Sequence, residues 1–290
     1  MANSISLICA VYGEDKAELL KNLIASISLD TDLKKELIIV DQNDSNNIEK
    51  VLKSITIPSQ LTIKYLKSKK GLSRSRNKGL LHAKNNIICF PDDDCEYPQG
   101  MLLKISDFFL KNDNVDVLIT SVREAKTNKK LRFTNKKHEG WIRTNDVFTN
   151  GCSISIFLRN KTDDWFDEDF GLGATYRSCE DYDYVLRLIK KGLFVYFKPS
   201  IYVFHPNSNN LSSKEIVEKV RHNASGHGAF FRKHKDVLFL QGIYNILSPL
   251  FGTFLYLLIF NKQKSMIYKI IFFERLKGYL KYKKAIVWWL

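Results

Sequence analysis

The first 120 residues switch repeatedly between two hydrophobic periods, and this alternation limits the folds open to the chain. Ile5 to Val11 is a short apolar run with β-branched residues, the pattern of a buried strand. Ala17, Leu20, Ile24 and Ile27 then recur at helical spacing, with Glu14 and Asp15 where a helix N-terminus favours negative charge. Leu37 to Val40 predicts a second strand, Leu61 to Leu66 a third, Ile87 to Phe90 a fourth and Val115 to Val122 a fifth. Ser73 to Lys84 and the series Leu102, Ile105, Phe109 predict intervening helices. Short strands alternating with helices imply an α/β fold with a mainly parallel sheet covered on both faces. Ligands of such sheets bind beyond the carboxyl ends of the strands, so the residues following each strand are where chemistry is expected.

The remainder is less regular. Residues 123–149 are polar and basic and read as an irregular excursion. Ser153 to Leu158 predicts a strand, Glu180 to Lys191 a helix, and Leu193 to Phe197 and Ile201 to Phe204 two further strands. Lys214 to His234 has a helical pattern weakened by Gly226 and Gly228. Composition then changes: the 24 residues from Val237 to Phe260 carry no charge, a length that suffices to cross a bilayer. Gln241, Asn245, Ser248 and Pro249 interrupt that run, and both flanks are basic, so the positive-inside rule assigns no orientation. Helices lying in the membrane plane account more easily for the basic, aromatic stretch that ends in Trp288-Trp289-Leu290. The expected division is therefore 1–235 and a membrane-associated helical region, 236–290.

Lysine and arginine total 45 against 31 acids, a net charge of +14, which suits a polyanionic partner such as anionic lipid, nucleic acid or a phosphorylated substrate. An apolar fraction of 44% excludes a disordered chain. Five scattered cysteines favour neither a disulfide framework nor a zinc site and fit a reducing compartment. The N-terminus shows no basic region followed by a long apolar run, so no signal peptide is expected.

Three consecutive carboxylates, Asp92-Asp93-Asp94, follow the fourth strand. Such a cluster is costly unless a cation neutralises it, and Mg²⁺ or Mn²⁺ commonly bridges carboxylates to substrate phosphates. The competing reading is a solvated acidic turn. Asp41 ends the second strand at the same sheet edge, and Lys70 to Asn77 brings positive charge and a helix N-terminus there. Glu180-Asp181 opens a helix after the acidic glycine loop Phe166 to Gly173, as ordinary capping acids or as a placed general base. His205, ending a strand before Pro206, is a candidate metal ligand or acceptor contact.

In this order and spacing, these elements resemble the family 2 glycosyltransferases, inverting enzymes with the nucleotide-sugar-binding α/β fold called GT-A. The resemblance covers residues 4–206. Ile8 to Tyr12 is similar to the family's first strand and the start of its base pocket, assigning Ala10, Val11 and Tyr12 to the donor. Val40-Asp41 resembles its base- or ribose-contacting aspartate, and Arg76-Asn77-x-Gly79 its Ala-Arg-Asn-x-Gly helix, with Ser75 for the alanine. Asp92 to Asp94 resembles its Asp-x-Asp motif, Glu180-Asp181 its catalytic pair, and Tyr202 to Pro206 the strand and histidine that follow. Two positions depart from the pattern: the usual Val-Asp-Asp-Gly-Ser is Val40-Asp41-Gln42-Asn43-Asp44-Ser45, and the asparagine after the first tyrosine is Gly13. These leave open the second nucleotide-side carboxylate and the shape of the base pocket.

The resemblance implies transfer of a sugar, with a UDP-hexose as first guess, to a lipid-linked glycan acceptor in surface-polysaccharide synthesis. The 1–235 region would be the catalytic domain. Asp94, aided by Asp92 and less firmly by His205, would hold Mn²⁺ or Mg²⁺. Asp92 or Asp93 would hold donor hydroxyls, Arg76 or Arg74 the nucleotide, and Asp181 with Glu180 would activate the acceptor. The basic tail would rest on anionic lipid at the cytoplasmic face of the membrane, peripherally or monotopically, and no nucleic-acid partner is expected. A nucleotidyltransferase would share sheet and acids, but residues 9–20 lack its glycine- and arginine-rich phosphate loop. A non-catalytic membrane- or nucleic-acid-binding module would leave both acidic motifs without a use.

Overall fold

The computed structural model describes residues 4–131, 138–160, 162–206 and 212–283. Among the described residues, eight strands, β1 (Ile5–Val11), β2 (Lys35–Asp41), β3 (Leu61–Lys67), β4 (Ile87–Cys89), β5 (Val117–Arg123), β6 (Gly140–Trp141), β7 (Ile156–Arg159) and β8 (Val195–Phe204), form one sheet in the order β3-β2-β1-β4-β7-β5-β8-β6. The block β3-β2-β1-β4 is parallel, as is the β5–β8 pair. Antiparallel β7 joins β4 to β5, and β6 runs antiparallel to β8 at the edge.

Helices α1 (Ala17–Ser28), α2 (Asn47–Lys53), α3 (Leu72–His82), α4 (Met101–Lys111) and the short α5 (Val147–Asn150) accompany the sheet. β1 and β2 are buried along almost their whole length because both faces are covered. On one face, Leu20, Leu23, Ile24 and Ile27 of α1 and Leu102, Ile105 and Phe109 of α4 share a core with Leu7, Cys9, Leu37 and Ile39. On the other, α3 lies so close to β1 that a methyl group at Gly79 would overlap the Ile8 side chain. That contact explains a glycine inside a helix, where it otherwise weakens the structure. Asp30 caps α4 from a distance, accepting from the backbone N–H groups of Gly100, Leu102 and Leu103 at 2.5, 3.0 and 3.4 Å.

Three sequence expectations change. The stretch 123–149 contains β6 and most of α5. The strand expected from Ser153 starts at Ile156, because 153–155 form a single 3₁₀ turn. The two strands expected at 193–197 and 201–204 are one, β8, running through Pro199. The β5–β8 register shifts between Thr120 and Ser121, and the Ser121 hydroxyl donates to the Pro199 carbonyl at 2.9 Å. This irregularity absorbs the N–H that proline lacks.

The chain divides into two compact units. Met1–Glu168 with Tyr184–Asn207 carries the whole sheet; Asp169–Asp183 with Ser208–Leu290 forms the second unit. Helix α6 (Glu180–Lys190) contributes its first turn to the second unit and the rest to the first. α7 (Ser213–Lys233), α8 (Lys235–Leu258) and α9 (Lys262–Lys281) build the second unit, so α7 groups with the helices that follow it rather than ending a domain at 235. Its glycines are the reason: a methyl group at Gly228 would overlap the Arg275 carbonyl, and one at Gly278 the Ser225 carbonyl. Glycine thus permits a close α7–α9 crossing. α8 is long and apolar enough to cross a membrane by length and composition, with a third of its most apolar stretch buried. Phe239, Leu240, Phe251, Phe254 and Leu258 on it are exposed. Trp288-Trp289-Leu290 lies outside the described residues.

Because the α3–β1 contact leaves no room for a side chain, Gly79→Ala should destabilise the protein by about 1–3 kcal/mol. Urea unfolding followed by circular dichroism measures this; an unchanged midpoint would mean that the contact is not close.

Candidate active site

The carboxyl edge of the parallel strands gathers most of the predicted residues. Phe90, Pro91 and the three acids follow β4 directly, and their loop is tied to the end of β8 by two backbone hydrogen bonds. Glu96 N–H donates to the Phe204 carbonyl at 3.0 Å, and Phe204 N–H to the Glu96 carbonyl at 2.9 Å. This bridge brings His205 to Asp94, with Nε2 3.3 Å from Oδ1. Ligand atoms of Asp92, Asp94 and His205 all fall within 4.8 Å of one another. A cavity of about 230 Å³ adjoins them, lined by Asp94, Glu96, Glu124, Lys126 and His205 among others.

The atoms of this group suit a cation. His205 Nδ1 lies 2.7 Å from the Pro206 carbonyl, which can only accept, so Nδ1 carries a proton. Nε2 then faces Asp94 Oδ1, an oxygen shielded from solvent with no hydrogen-bond partner among the described residues, across a gap that a proton on the ring or a metal ion would fill. Two acceptors facing each other need a proton or a metal ion between them, and a histidine whose second nitrogen is held by a carbonyl is the usual metal-ligand arrangement. Hard oxygen donors with one imidazole fit Mn²⁺ or Mg²⁺.

Asp93 is turned inward, 9% exposed, with Lys16 Nζ at 3.9 Å. Burial pushes its carboxyl up to about 7; Lys16 opposes the shift and the neighbouring acids reinforce it. Asp94 is raised as well, by burial first, with His205 opposing. Arg76 stabilises the loop from beneath. It is 1% exposed and its Nη2 donates to Asp92 at 3.1 Å and to the Ser153 hydroxyl at 2.9 Å, with the guanidinium 5.4 Å from the Phe166 ring. It therefore reaches the site through Asp92.

The α3 helix also holds the acidic loop. Asn77 pairs with the Phe166 backbone, accepting its N–H at 2.7 Å and donating to its carbonyl at 2.9 Å. Arg74 Nε donates to Glu168 at 2.9 Å. Phe166 stacks on Tyr184 at 4.2 Å and meets Phe90 edge-on at 5.0 Å.

Asp41 lies apart from the acids. It is fully buried, and each carboxylate oxygen accepts twice: Oδ1 from the Asn43 backbone and side chain, Oδ2 from Tyr65 at 2.7 Å and Lys67 at 2.9 Å. Gln42 and Asn43, the departures from the family pattern, extend this network. Asn43 Oδ1 accepts from Gly13 N–H at 2.9 Å, and Gln42 Oε1 from Gly71 N–H at 2.8 Å. Val11 offers its carbonyl to Gln42 N–H at 3.0 Å, and Ala10 pairs with Val40 in the sheet. Tyr12 is half exposed, with Lys70 Nζ 4.8 Å from its ring centre. The structural roles of Gln42, Asn43 and Lys67 escaped the sequence reading. Uncharged amides after a strand carry little signal, and Lys67 is one basic residue among many.

Glu180 and Asp181 open α6 within the second unit. Cys179 precedes them with a φ of 71°, Asp181 accepts from Tyr182 N–H at 2.8 Å, and Glu180 is largely buried. Asp183, fully buried one turn on, accepts from Lys233 Nζ at 2.6 Å and His234 Nε2 at 2.8 Å.

The model of glycosyl transferase family 2 matches residues 6–166, more than half of the chain. The chain belongs to glycosyl transferase family 2. It is 26% identical over 223 residues to an uncharacterized glycosyltransferase of Haemophilus influenzae, covering 72% of this chain and 71% of that protein. Among solved structures, a Pyrobaculum calidifontis mannosyltransferase in complex with GDP-mannose and Mn²⁺ superimposes with a TM-score of 0.66 at 11% identity, over 97% of this chain and 88% of that one. S. aureus TarS residues 1–349 in complex with UDP gives 0.56 at 15%, over 95% and 92%. The chain spans about half, 54%, of the longer TarS structure. At such identities, the structural likeness establishes the α/β, GT-A-like fold. Family membership makes this protein a glycosyltransferase.

Arg76→Ala would leave Asp92 and Ser153 without their buried donor. A loss of about 1–3 kcal/mol of stability is expected from denaturant titration, with Arg76→Lys recovering only part because one ammonium does not reproduce the guanidinium fork.

Proposed function

We propose that this family 2 glycosyltransferase is inverting and divalent-metal-dependent. It moves a sugar from a nucleotide-diphosphate donor, a UDP-hexose being the first to test, to a hydroxyl of a lipid-linked glycan acceptor in surface-polysaccharide synthesis. The observation that carries the reading is the convergence of Asp92, Asp94 and His205 within 4.8 Å, with a shielded Asp94 oxygen facing the imidazole. The complexes of TarS with UDP and UDP-GlcNAc, and of the mannosyltransferase with GDP-mannose and Mn²⁺, support a nucleotide-sugar donor and a metal.

Asp94, Asp92 and His205 would hold the cation. Bound Mn²⁺ or Mg²⁺ supplies Lewis-acid neutralisation of the charge that develops on the departing diphosphate. Tyr12 offers an exposed ring to the base, and the Asp41–Asn43–Gly13 network, with Ala10 and Val11, shapes the backbone beside it. Asp92 or Asp93 engages donor hydroxyls, and Arg76 fixes the Asp92 carboxylate. Asp181, supported by Glu180, takes the acceptor proton as the oxygen attacks the anomeric carbon. A carboxylate is a weak base for an alcohol, so it assists as the bond forms. The exposed apolar side chains of α8 and the basic residues around them would place the protein at the cytoplasmic face of the membrane, peripherally or monotopically.

A nucleotide-sugar panel with Mn²⁺ or Mg²⁺, read by thermal shift and nucleoside diphosphate release, tests the donor. One donor should stabilise the wild type only with metal, and Asp94→Asn should abolish that shift. Asp181→Asn should keep the shift and lose about 10²–10⁴-fold in turnover. An α-linked donor should yield a β-linked product by proton NMR; retained configuration, or transfer unaffected by chelation, sinks the mechanism.

Membrane fractionation tests the location. Part of the protein should leave the membranes in high salt and the rest only in detergent. Complete recovery in the soluble fraction before any wash counts against membrane association.

A further inference from the structure

The helical unit contains a cavity of about 620 Å³ that the reading above does not use. It is lined by Thr175, Tyr176 and Arg177 ahead of α6, by Arg221, His222 and Ser225 of α7, and by one stripe of α9. That stripe, Glu274, Lys277, Gly278 and Lys281, follows the i, i+3, i+4, i+7 spacing that puts residues on a single helix face. All these residues belong to the second compact unit.

Charge in this cavity is strongly unbalanced. Arg177, Arg221, Lys277 and Lys281 face it with Glu274 as the one lining carboxylate among the described residues, and Glu274 is engaged by Lys277 at 3.4 Å. Among the described residues, Arg221 and Lys281 make no ion pair. Arg177 Nη1 lies 3.1 Å from His222 Nε2, and among the described residues Arg177 makes no ion pair either. All four cations are exposed and keep their hydration, but gathered around one concavity they give it a positive potential that attracts an anion. The Gly278–Ser225 contact fixes the spacing between the two helices that carry most of these groups. Two guanidiniums, able to pair in forks, favour phosphate over a single carboxylate.

We propose that this cavity binds the phosphate or diphosphate group of a ligand, separately from the donor at the sheet edge. The inference rests on the glycosyltransferase reading only for its use. The segment 175–177 leads directly into Glu180-Asp181, so a phosphate-bearing acceptor would be anchored in the unit that carries the proposed base. The anion itself has two sources, a lipid-linked diphosphate or a free one.

The test uses the full-length protein with EDTA present, so that no metal-bridged diphosphate binds at Asp94. Inorganic pyrophosphate is titrated calorimetrically, and neutral phosphatidylcholine vesicles with and without a polyprenyl diphosphate are compared in flotation. Pyrophosphate should bind the wild type and Asp94→Asn alike. Affinity should fall about tenfold or more in Arg177→Gln/Arg221→Gln, the equivalent of about 1.4 kcal/mol. Arg221→Lys should restore part of it, and circular dichroism should show each variant folded. Flotation only with vesicles containing the diphosphate lipid, lost in the double variant, identifies the lipid source; binding of pyrophosphate alone identifies a soluble one. Absence of binding in both arms, or binding unchanged by the double variant, overturns the proposal. Because pyrophosphate binding is read in Asp94→Asn, it stands or falls independently of donor use.

Discussion

The constraint on which the sheet edge depends is negative charge. Three carboxylates emerge from a strand whose residues are entirely buried, and two of them are pushed toward protonation by that burial. The protein meets only part of this charge itself: Arg76 holds Asp92 from below, Lys16 approaches Asp93, and His205 stands against Asp94. The arrangement is selective. Arg76 takes the outer acid through a hydrogen bond, whereas Asp94 Oδ1 has no hydrogen-bond partner among the described residues. A cation shared by Asp92, Asp94 and His205 would complete the neutralisation.

What could be read in the sequence was what periodicity and consecutive like charges encode. The βαβ alternation predicted β1 to β5 and α1, α3 and α4 within a few residues, because strands buried on both faces must be continuously apolar and covering helices must repeat every three or four residues. The acidic run was equally visible, although a solvated acidic turn was a competing reading until Asp94 was placed against His205. Long-range pairing was not visible. That β7 would enter antiparallel between β4 and β5, or that one strand would run through Pro199, depends on a register shift against β5 that no local pattern announces. Arg76 illustrates the same limit within the site: the family resemblance assigned it to the nucleotide, whereas the structure buries it with hydrogen bonds to Asp92 and Ser153.

The departures from the family pattern have a physical account. Gln42 and Asn43 stand where a second carboxylate and glycine are usual, and they bond outward to Gly71 and Gly13. Asp41 is consequently a junction: it fixes Asn43, which fixes the backbone after β1, while Tyr65 and Lys67 satisfy its other oxygen. A second carboxylate beside this fully buried one would add desolvation cost and repulsion; neutral amides supply hydrogen bonds without either. Amides at these positions therefore supply the loop's hydrogen bonds without adding negative charge beside Asp41.

The same logic explains why α7 groups with the helices that follow it. Asp183 is buried on the helix turn that carries Glu180 and Asp181, and a buried carboxylate without compensation would deprotonate poorly or unfold its surroundings. Its compensation comes from the C-terminal end of α7, through Lys233 and His234. That end is held in turn by the glycine-mediated crossing with α9, where side chains at 228 or 278 would collide with main chain. The position of the proposed base is thus linked through one buried ion pair and one helix crossing to the C-terminal helices. A boundary drawn where charge disappears from the sequence, at 235, would divide that linkage, because composition records where a segment meets solvent or lipid and not where its load is carried.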